Sequence, residues 1–231
     1  MYFDFYYVLI VVPFLIISFI LSRRVNRVFE KYNNQFTSRG VTGFQAARRV
    51  LDANGLQNVP IDLISGKLSD HYDPTANVVR LSDAVYNGTS SAAIGIACHE
   101  VGHAIQYSKG YKPVRFRMAI IPITNIGARI SIPLLILGLI LSSFSYLFII
   151  LAWVGLLFYT LSAVFQFATL FVEFDASKRA LVEIQNYSLL NTEEINGAQQ
   201  VLRAAALTYV AALAVTLSQI VRFILILRRR R

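Results

Sequence analysis

A segment of 43 residues, from 130 to 172, contains no charged side chain and no histidine. As one continuous helix it would be about 65 Å long, roughly twice the hydrocarbon core of a bilayer. Two core helices of a soluble protein are a poor explanation for so long an apolar segment. Residues 142–145 read Ser-Ser-Phe-Ser and lie near a suitable turning point. The segment therefore predicts a transmembrane hairpin that leaves the membrane on the side where it entered.

Two further apolar segments predict membrane helices before and after this hairpin. Residues 5–22 form an apolar run of 18 residues that ends at a pair of arginines, which is just long enough to cross a bilayer. A signal peptide would have a basic start and a small-residue cleavage site, so we interpret this run as a retained anchor. Residues 204–221 are also free of charge, and Arg222 interrupts before 223–227. We expect a fourth span in which Arg222 snorkels towards the end of the helix.

The polar region between the anchor and the hairpin contains a His-Glu-x-x-His motif at residues 99–103. On a helix, His99 and His103 lie on one face and can bind the same metal ion. Glu100 lies one step round the helix, where it can take a proton from a metal-bound water. An Asn-Gly turn and a capping Ser90 or Ser91 precede the motif, which favours a helix over a surface segment with two solvated histidines.

A catalytic zinc site needs a third protein ligand and an open position for water. Glu173 is the first charged residue after the hairpin, so the chain returns it to the side of the motif. We predict that His99, His103 and Glu173 bind Zn²⁺, with Asp175 as the second choice for the carboxylate. The alternative for Glu173 is a helix-surface carboxylate at the membrane boundary. Cys98 points away from the ligand face and is interpreted as a small packed thiol.

Local signals predict further elements of the polar region. Thr42 can cap a helix that Gly55 closes. Residues 61–66 and 78–81 are short β-type runs separated by the polar stretch 69–74. The second run is either an ordinary strand or an edge strand that pairs with an extended peptide through main-chain hydrogen bonds.

Together these features predict a mainly α membrane protein with about four transmembrane helices and a small α+β, zincin-like catalytic region with a short edge strand. Only 15% of the residues are charged, well below the roughly 25% of soluble domains. The predicted regions are an anchor (1–22), a polar catalytic region (23–129), the hairpin (130–172), a third-ligand segment (173–203) and a C-terminal helix with a basic tail (204–231).

The net charge of +9 is explained by residues that flank the membrane segments. We do not expect nucleic-acid binding, because no aromatic-basic module of the usual kind is present. Ten basic residues would share one side of the membrane, and positive-inside logic places them and the zinc region in the cytoplasm. The four arginines of the C-terminal tail conflict with this orientation, because a final crossing would place them outside. Either the ten flanking charges outweigh these four, or the last helix does not fully cross the membrane. The ten are Arg23, Arg24, Arg27, Lys31, Lys112, Arg115, Arg117, Lys178, Arg179 and Arg203.

Three segments carry a resemblance to a known family: Leu-Ser-Asp-His-Tyr-Asp-Pro at 68–74, Val-Arg-Leu-Ser at 79–82 and the motif helix at 99–106. They resemble the YugP-type membrane zinc metallopeptidases of bacteria, and the resemblance extends over nearly the whole chain, including 206–212. It implies a multi-pass protein of the bacterial cell membrane that acts on a protein or peptide substrate.

The layout also resembles, more distantly, HtpX and the CAAX prenyl proteases. There too a membrane hairpin separates His-Glu-x-x-His from a glutamate ligand, and this glutamate begins a Glu-aromatic-x-Ala-Asp pattern. Residues 173–176 fit its first part, but Ser177 stands where the aspartate is expected. The resemblance implies zinc held by His99, His103 and Glu173.

The leading functional hypothesis is a membrane-embedded zinc endopeptidase at the cytoplasmic face, acting on peptides or membrane proteins. His71, Tyr209 and Arg203 are candidate donors to the oxyanion. One alternative is an intramembrane site-2-type metalloprotease, against which the polar neighbours of the motif argue. The other is a non-catalytic scaffold or chaperone cofactor with a vestigial metal site. Glu100 argues against it, because a structural metal site does not need a general base.

Overall fold

Four long helices contain most of the apolar sequence in residues 5–229, the part of the chain that this computed structural model describes. Each is long and apolar enough to cross a membrane, which confirms the predicted mainly α membrane protein. The first four residues of the predicted anchor, and Arg230 and Arg231 of the basic tail, lie outside the described residues. The long helices are α1 (Val12–Asn33), α5 (Lys112–Leu141), α6 (Ile149–Asn186) and α7 (Thr192–Arg229).

The shorter elements fall between α1 and α5. They are α2 (Gly43–Ala53), β1 (Ile61–Ile64), β2 (His71–Asp73), β3 (Val78–Ser82), α3 (Asp83–Tyr86) and α4 (Ser91–Ser108). A π-helical turn (Tyr7–Val11) precedes α1, and its last hydrogen bond runs from Val12 N–H to Tyr7 O. Pro13 follows directly and has no N–H to donate to the carbonyl four residues earlier, which favours such a widened turn.

The chain folds into two compact units. The first, here called the helical unit, comprises Met1–Leu21, Arg115–Leu170 and Thr208–Arg231; the second, the mixed unit, comprises Ser22–Val114 and Phe171–Leu207. In the helical unit many large apolar side chains face outward, among them Leu157 with 64% of its surface exposed and Phe167 with 54%. Such a surface is typical of a segment that faces lipid.

Close contact between α5 and α6 forms the hairpin of the helical unit. The chain turns at residues 142–145, where the sequence places the reversal. A side chain at Gly138 would lie 2.3 Å from the backbone nitrogen of Ala152, so only glycine allows this approach. Small residues at such contacts let membrane helices pack closely. Leu135, Ile149 and Leu156 are buried beside them.

The three strands form one sheet in the order β1-β3-β2. Strand β3 pairs in parallel with β1, with Leu63 opposite Leu81, and antiparallel with β2, with Tyr72 opposite Val79. Of the two interpretations of residues 78–81, the ordinary strand is confirmed and the peptide-pairing edge strand is wrong, because β3 is central and four of its five residues are buried. The polar stretch 69–74, interpreted as a break between strands, contains β2. The short edge strands are β1 and β2.

Helix α4 forms the centre of the mixed unit. Ile94, Val101 and Ile105 on α4 are at most 1% exposed and pack in one cluster with Ile184 of α6 and Leu202 of α7. Ser90 caps the helix by accepting a hydrogen bond from Ala93 N–H at 3.1 Å, one of the two caps that the sequence allows. The helix that carries the motif is therefore largely buried.

Candidate metal centre

Both histidines of the motif project from the same side of α4. Their ring centroids are 4.7 Å apart, and the ring planes are nearly perpendicular, at 82°. This is the consequence of an i, i+4 spacing on an α-helix. The predicted pairing of His99 and His103 on one helical face is present in the structure.

Glu173 on α6 points at the two histidines. Its Oε2 atom lies 3.3 Å from His99 Nε2 and 3.8 Å from His103 Nε2. One ligand atom from each of the three residues falls within 4.8 Å of the others. Only 7% of the surface of Glu173 is exposed, so its carboxylate is not a solvated helix-surface group.

Close packing of α4 against α6 brings these groups together. A Cβ atom added to Gly102 would lie 2.7 Å from the Ala176 carbonyl oxygen and 3.2 Å from its Cα atom. Gly95 makes a similar approach to Ala198 of α7, at 3.0 Å from its Cβ atom. The glycine inside the motif therefore has a definite role, because it lets α4 come near enough to α6 for His99 and His103 to meet Glu173.

Each histidine makes a hydrogen bond through the ring nitrogen that faces away from Glu173. His99 Nδ1 lies 3.1 Å from Ser177 Oγ, and His103 Nδ1 lies 3.0 Å from Gln106 Oε1. Ser177, the residue that departs from the Glu-aromatic-x-Ala-Asp pattern, thus contacts His99. These contacts leave the Nε2 atoms of both rings directed towards Glu173.

Glu100 is fixed by the main chain of β2. Its Oε2 atom accepts a hydrogen bond from the Tyr72 N–H at 2.9 Å, and only 8% of its surface is exposed. The edge strand that sequence patterns did not reveal is therefore the element that positions the glutamate of the motif.

Negative charge dominates the site. Burial alone would lower the pKa of His103, but the neighbouring Glu173 carboxylate and the charge of Glu100 raise it above its ordinary value. The two carboxylates therefore favour positive charge at this position. A bound cation would satisfy the same carboxylates.

The donor set fits a zinc ion. Zinc prefers imidazole nitrogen and carboxylate oxygen at 2.0–2.2 Å in a tetrahedral arrangement, in which neighbouring ligand atoms are about 3.3 Å apart. The 3.3 Å and 3.8 Å separations of the Glu173 oxygen from His99 and His103 are close to this spacing. Three protein ligands also leave a fourth position open, as catalytic zinc sites require.

The other sequence candidates have different surroundings. Asp175, the second choice as ligand, accepts hydrogen bonds from Gln106 and Arg179. His71 Nδ1 lies 2.8 Å from the Ser69 carbonyl oxygen, and its Nε2 lies 3.4 Å from Arg80.

Arg203 and Tyr209 have exposed side chains on α7, and Tyr209 belongs to the helical unit. A role for His71, Arg203 or Tyr209 as an oxyanion donor stays a prediction. Cys98 is the predicted packed thiol, 1% exposed, and burial together with the charge of Glu183 raises its pKa.

Sequence reasoning assigned no role to three residues of the site, Tyr72, Gln106 and Ser177, although the resemblance had singled out position 177. Gln106 lies one helical turn after His103, and Ser177 one turn after Glu173, so helical spacing from the predicted ligands could have indicated both. Tyr72 acts through its backbone, and its side-chain type therefore carries no signal.

Comparison with known proteins agrees with this geometry. The model of a family described as "Putative neutral zinc metallopeptidase" matches residues 7–228. A protein of Bacillus subtilis (strain 168) with the name "Putative membrane protease YugP" is 44% identical over 211 residues, which cover 91% of each chain. No solved structure matches.

Proposed function

Because the chain belongs to the neutral zinc metallopeptidase family, we propose that it is a membrane-embedded zinc endopeptidase in which Glu100 is the general base. The observation that carries this proposal is the convergence of His99 and His103 from α4 with Glu173 from α6. We assign these three residues as the metal ligands.

Zinc, when bound by these ligands, would supply a Lewis acid that polarises the scissile carbonyl and makes a water molecule more acidic. Glu100 then accepts a proton from the attacking water and delivers it to the leaving amine. The hydrogen bond from Tyr72 N–H to Oε2 fixes the orientation of the carboxylate before substrate arrives.

The substrate is an extended stretch of polypeptide that pairs with the edge strand β2. An edge strand offers main-chain groups to an added strand. The Tyr72 N–H on β2 already donates to Glu100, so the peptide would pair through other main-chain groups of β2 and would lie beside the proposed base. The hypothesis of peptide pairing, first attached to residues 78–81, therefore moves to β2.

The catalytic site lies in an aqueous compartment and not within the bilayer. Open sheet edges exposed to lipid do not occur in the hydrocarbon region, and the mixed unit contains an open sheet of three strands. This supports a cleavage site outside the membrane core over the intramembrane alternative. The basic residues that flank the spans favour the cytoplasmic side of the bacterial cell membrane.

The test compares purified full-length protein with its Glu100→Gln variant in detergent, with bound zinc and cleavage of an unfolded protein as readouts. We expect both to hold zinc and the variant to lose about 100- to 10,000-fold in cleavage rate, the usual contribution of a general base. Glu193→Gln, at an exposed glutamate of α7, is the matched control and should retain activity. Equal activity in parent and Glu100→Gln would exclude Glu100 as the base.

A further inference from the structure

Gln106 is a fully buried polar residue next to the proposed metal ligands. None of its surface is exposed, and both ends of its amide have partners. Its Oε1 atom lies 3.0 Å from His103 Nδ1. Its Nε2 atom donates to the Val172 carbonyl oxygen and to Asp175 Oδ2, each at 2.8 Å.

The two acceptors determine which way the amide points. A glutamine NH₂ group has two hydrogens, and a carbonyl and a carboxylate take both of them. Reversing the amide would bring its oxygen against these two acceptors, at the cost of two buried hydrogen bonds. The amide oxygen must therefore face His103, and since that oxygen can only accept, His103 Nδ1 must carry the proton.

The chain of contacts ends in an ion pair. Asp175 Oδ2 also accepts from Arg179 Nε at 2.5 Å, and the Arg179 guanidinium lies 5.6 Å from the centre of the Tyr111 ring. The negative charge of Asp175 holds the amide hydrogens of Gln106, and Arg179 holds Asp175 in turn.

We propose that Gln106, held by Asp175, is a positioning residue that fixes His103 as the Nδ1–H tautomer and so leaves its Nε2 lone pair for the cation. The metal-binding part rests on the proposed function. Histidine ligands commonly donate their second N–H to a carboxylate or carbonyl. Here the Gln106 amide takes the place of that direct acceptor, and the Asp175 carboxylate binds the other end of the amide.

No comparable contact fixes the tautomer of His99. Its partner Ser177 has a hydroxyl that can donate or accept, so the contact at 3.1 Å is compatible with either tautomer. The two histidines are therefore not equivalent, and changes at Gln106 should affect the tautomer of His103 alone.

The first test reads the tautomer directly in metal-free protein. The chain has three histidines, so ¹⁵N-histidine NMR of the detergent-solubilised protein gives few signals, which His71→Gln and His99→Gln variants assign. At a pH where the rings are neutral, we expect the Nδ1–H form for His103 in the parent. In Gln106→Met the proton should move to Nε2, beside the Glu173 carboxylate. An Nε2–H tautomer in the parent would overturn the proposal.

The second test measures zinc affinity by competition with a chromophoric chelator. We expect Gln106→Met to weaken zinc binding about 10- to 100-fold, as losses of such partners do. Gln185→Met, at an exposed glutamine of the same helix as Glu173, should bind as the parent does. Unchanged affinity in Gln106→Met would contradict the proposal.

A swap of polarity separates positioning from simple packing. Gln106→Glu alone should also weaken zinc binding, because a carboxylate would face both Asp175 and the Val172 carbonyl. Adding Asp175→Asn supplies an NH₂ donor in place of the carboxylate and should recover most of the loss. Failure of the pair to recover any affinity, while both proteins stay folded by circular dichroism, would also count against the proposal. A parent that binds no zinc but shows the Nδ1–H tautomer would refute the proposed function and leave the positioning intact.

Discussion

At the scale of single residues, the glutamate of the motif depends on a backbone group that only a substitution to proline would remove. Glu100 is held by the Tyr72 N–H, which every residue except proline would supply. The position of that N–H depends on β2, a strand of three residues at the edge of the sheet. Arg80 of β3 fastens this strand by donating to Asp73 Oδ2 at 2.6 Å. The ion pair therefore acts on the proposed base through the backbone.

This ion pair predicts a pH-dependent stability. Hydrogen bonds from Arg80 and from the N–H groups of Ala76 and Thr75 lower the pKa of Asp73 to about 2. Because this pKa is lower in the folded chain, the stabilisation is present above about pH 4 and is lost as the pH falls towards 2. We expect Asp73→Asn to be less stable than the parent near pH 5, with a difference that shrinks below pH 4.

Chemical unfolding of the metal-free protein at a series of pH values measures this difference without a contribution from zinc loss. Asp62→Asn, at an exposed position of β1, is the control. A constant difference between Asp73→Asn and the parent from pH 5 to pH 2 would show that the carboxylate charge does not stabilise the strand.

At the scale of helices and strands, the site depends on how near α4 and α6 approach. The proposed ligands His103 and Glu173 are 70 residues apart in sequence, and a contact of backbone with backbone at Gly102 and Ala176 sets the distance between the two helices. Packed interiors transmit small changes in volume because they contain few voids. A single methyl group added at this contact should therefore displace the proposed metal ligands.

We predict that Gly102→Ala destabilises the protein by about 1–3 kcal/mol, the usual cost of overpacking, although alanine has the better helix propensity. It should also weaken zinc binding, since His103 is the next residue. Thermal unfolding and chelator competition measure the two effects. Gly127→Ala in α5 is the control, because its new methyl group would meet the flexible end of Leu161 at 3.3 Å. A Gly102→Ala variant with parental zinc affinity would contradict this account of the contact.

Local sequence signals predicted where helices begin and end better than they predicted which strands pair. Thr42 and Gln45 form a reciprocal cap at the start of α2, and Gly55 adopts positive φ after it. These features depend on neighbouring residues alone, so a single sequence contains them. Strand β2 was missed because its residues are polar, and its partners in β3 supply the pairing that its composition does not indicate.

The same limit applies to the site. The grouping of His99, His103 and Glu173 was predictable because His-Glu-x-x-His fixes two groups by helical spacing and the hairpin dictates where the next acid can return. The role of Gln106 was not predictable, because it depends on a hydrogen bond to Asp175, which lies 69 positions further along the chain. Long-range contacts of this kind leave no periodic pattern in the sequence.

At the scale of the whole molecule, the sequence left open whether the last helix crosses the membrane. The part of α7 within the helical unit runs from residue 208 to 229 without a break, about 33 Å at 1.5 Å per residue, which is enough for the hydrocarbon core. Arg222 is accommodated in it, because its guanidinium lies 4.9 Å from the Tyr7 ring centre and donates to Gln219. We therefore infer a full crossing.

Cysteine labelling in spheroplasts tests this topology. In a Cys98→Ala background, a membrane-impermeant maleimide should label Ser143→Cys, in the exposed turn of the hairpin, and a cysteine appended after Arg231. Asn58→Cys, in an exposed loop of the mixed unit, should react only after the membrane is permeabilised. Labelling of Asn58→Cys in intact spheroplasts would place the site outside the cell. Protection of the appended cysteine alone would show that the arginine tail holds α7 on the cytoplasmic side, and that positive charge outweighs the length of an apolar helix here.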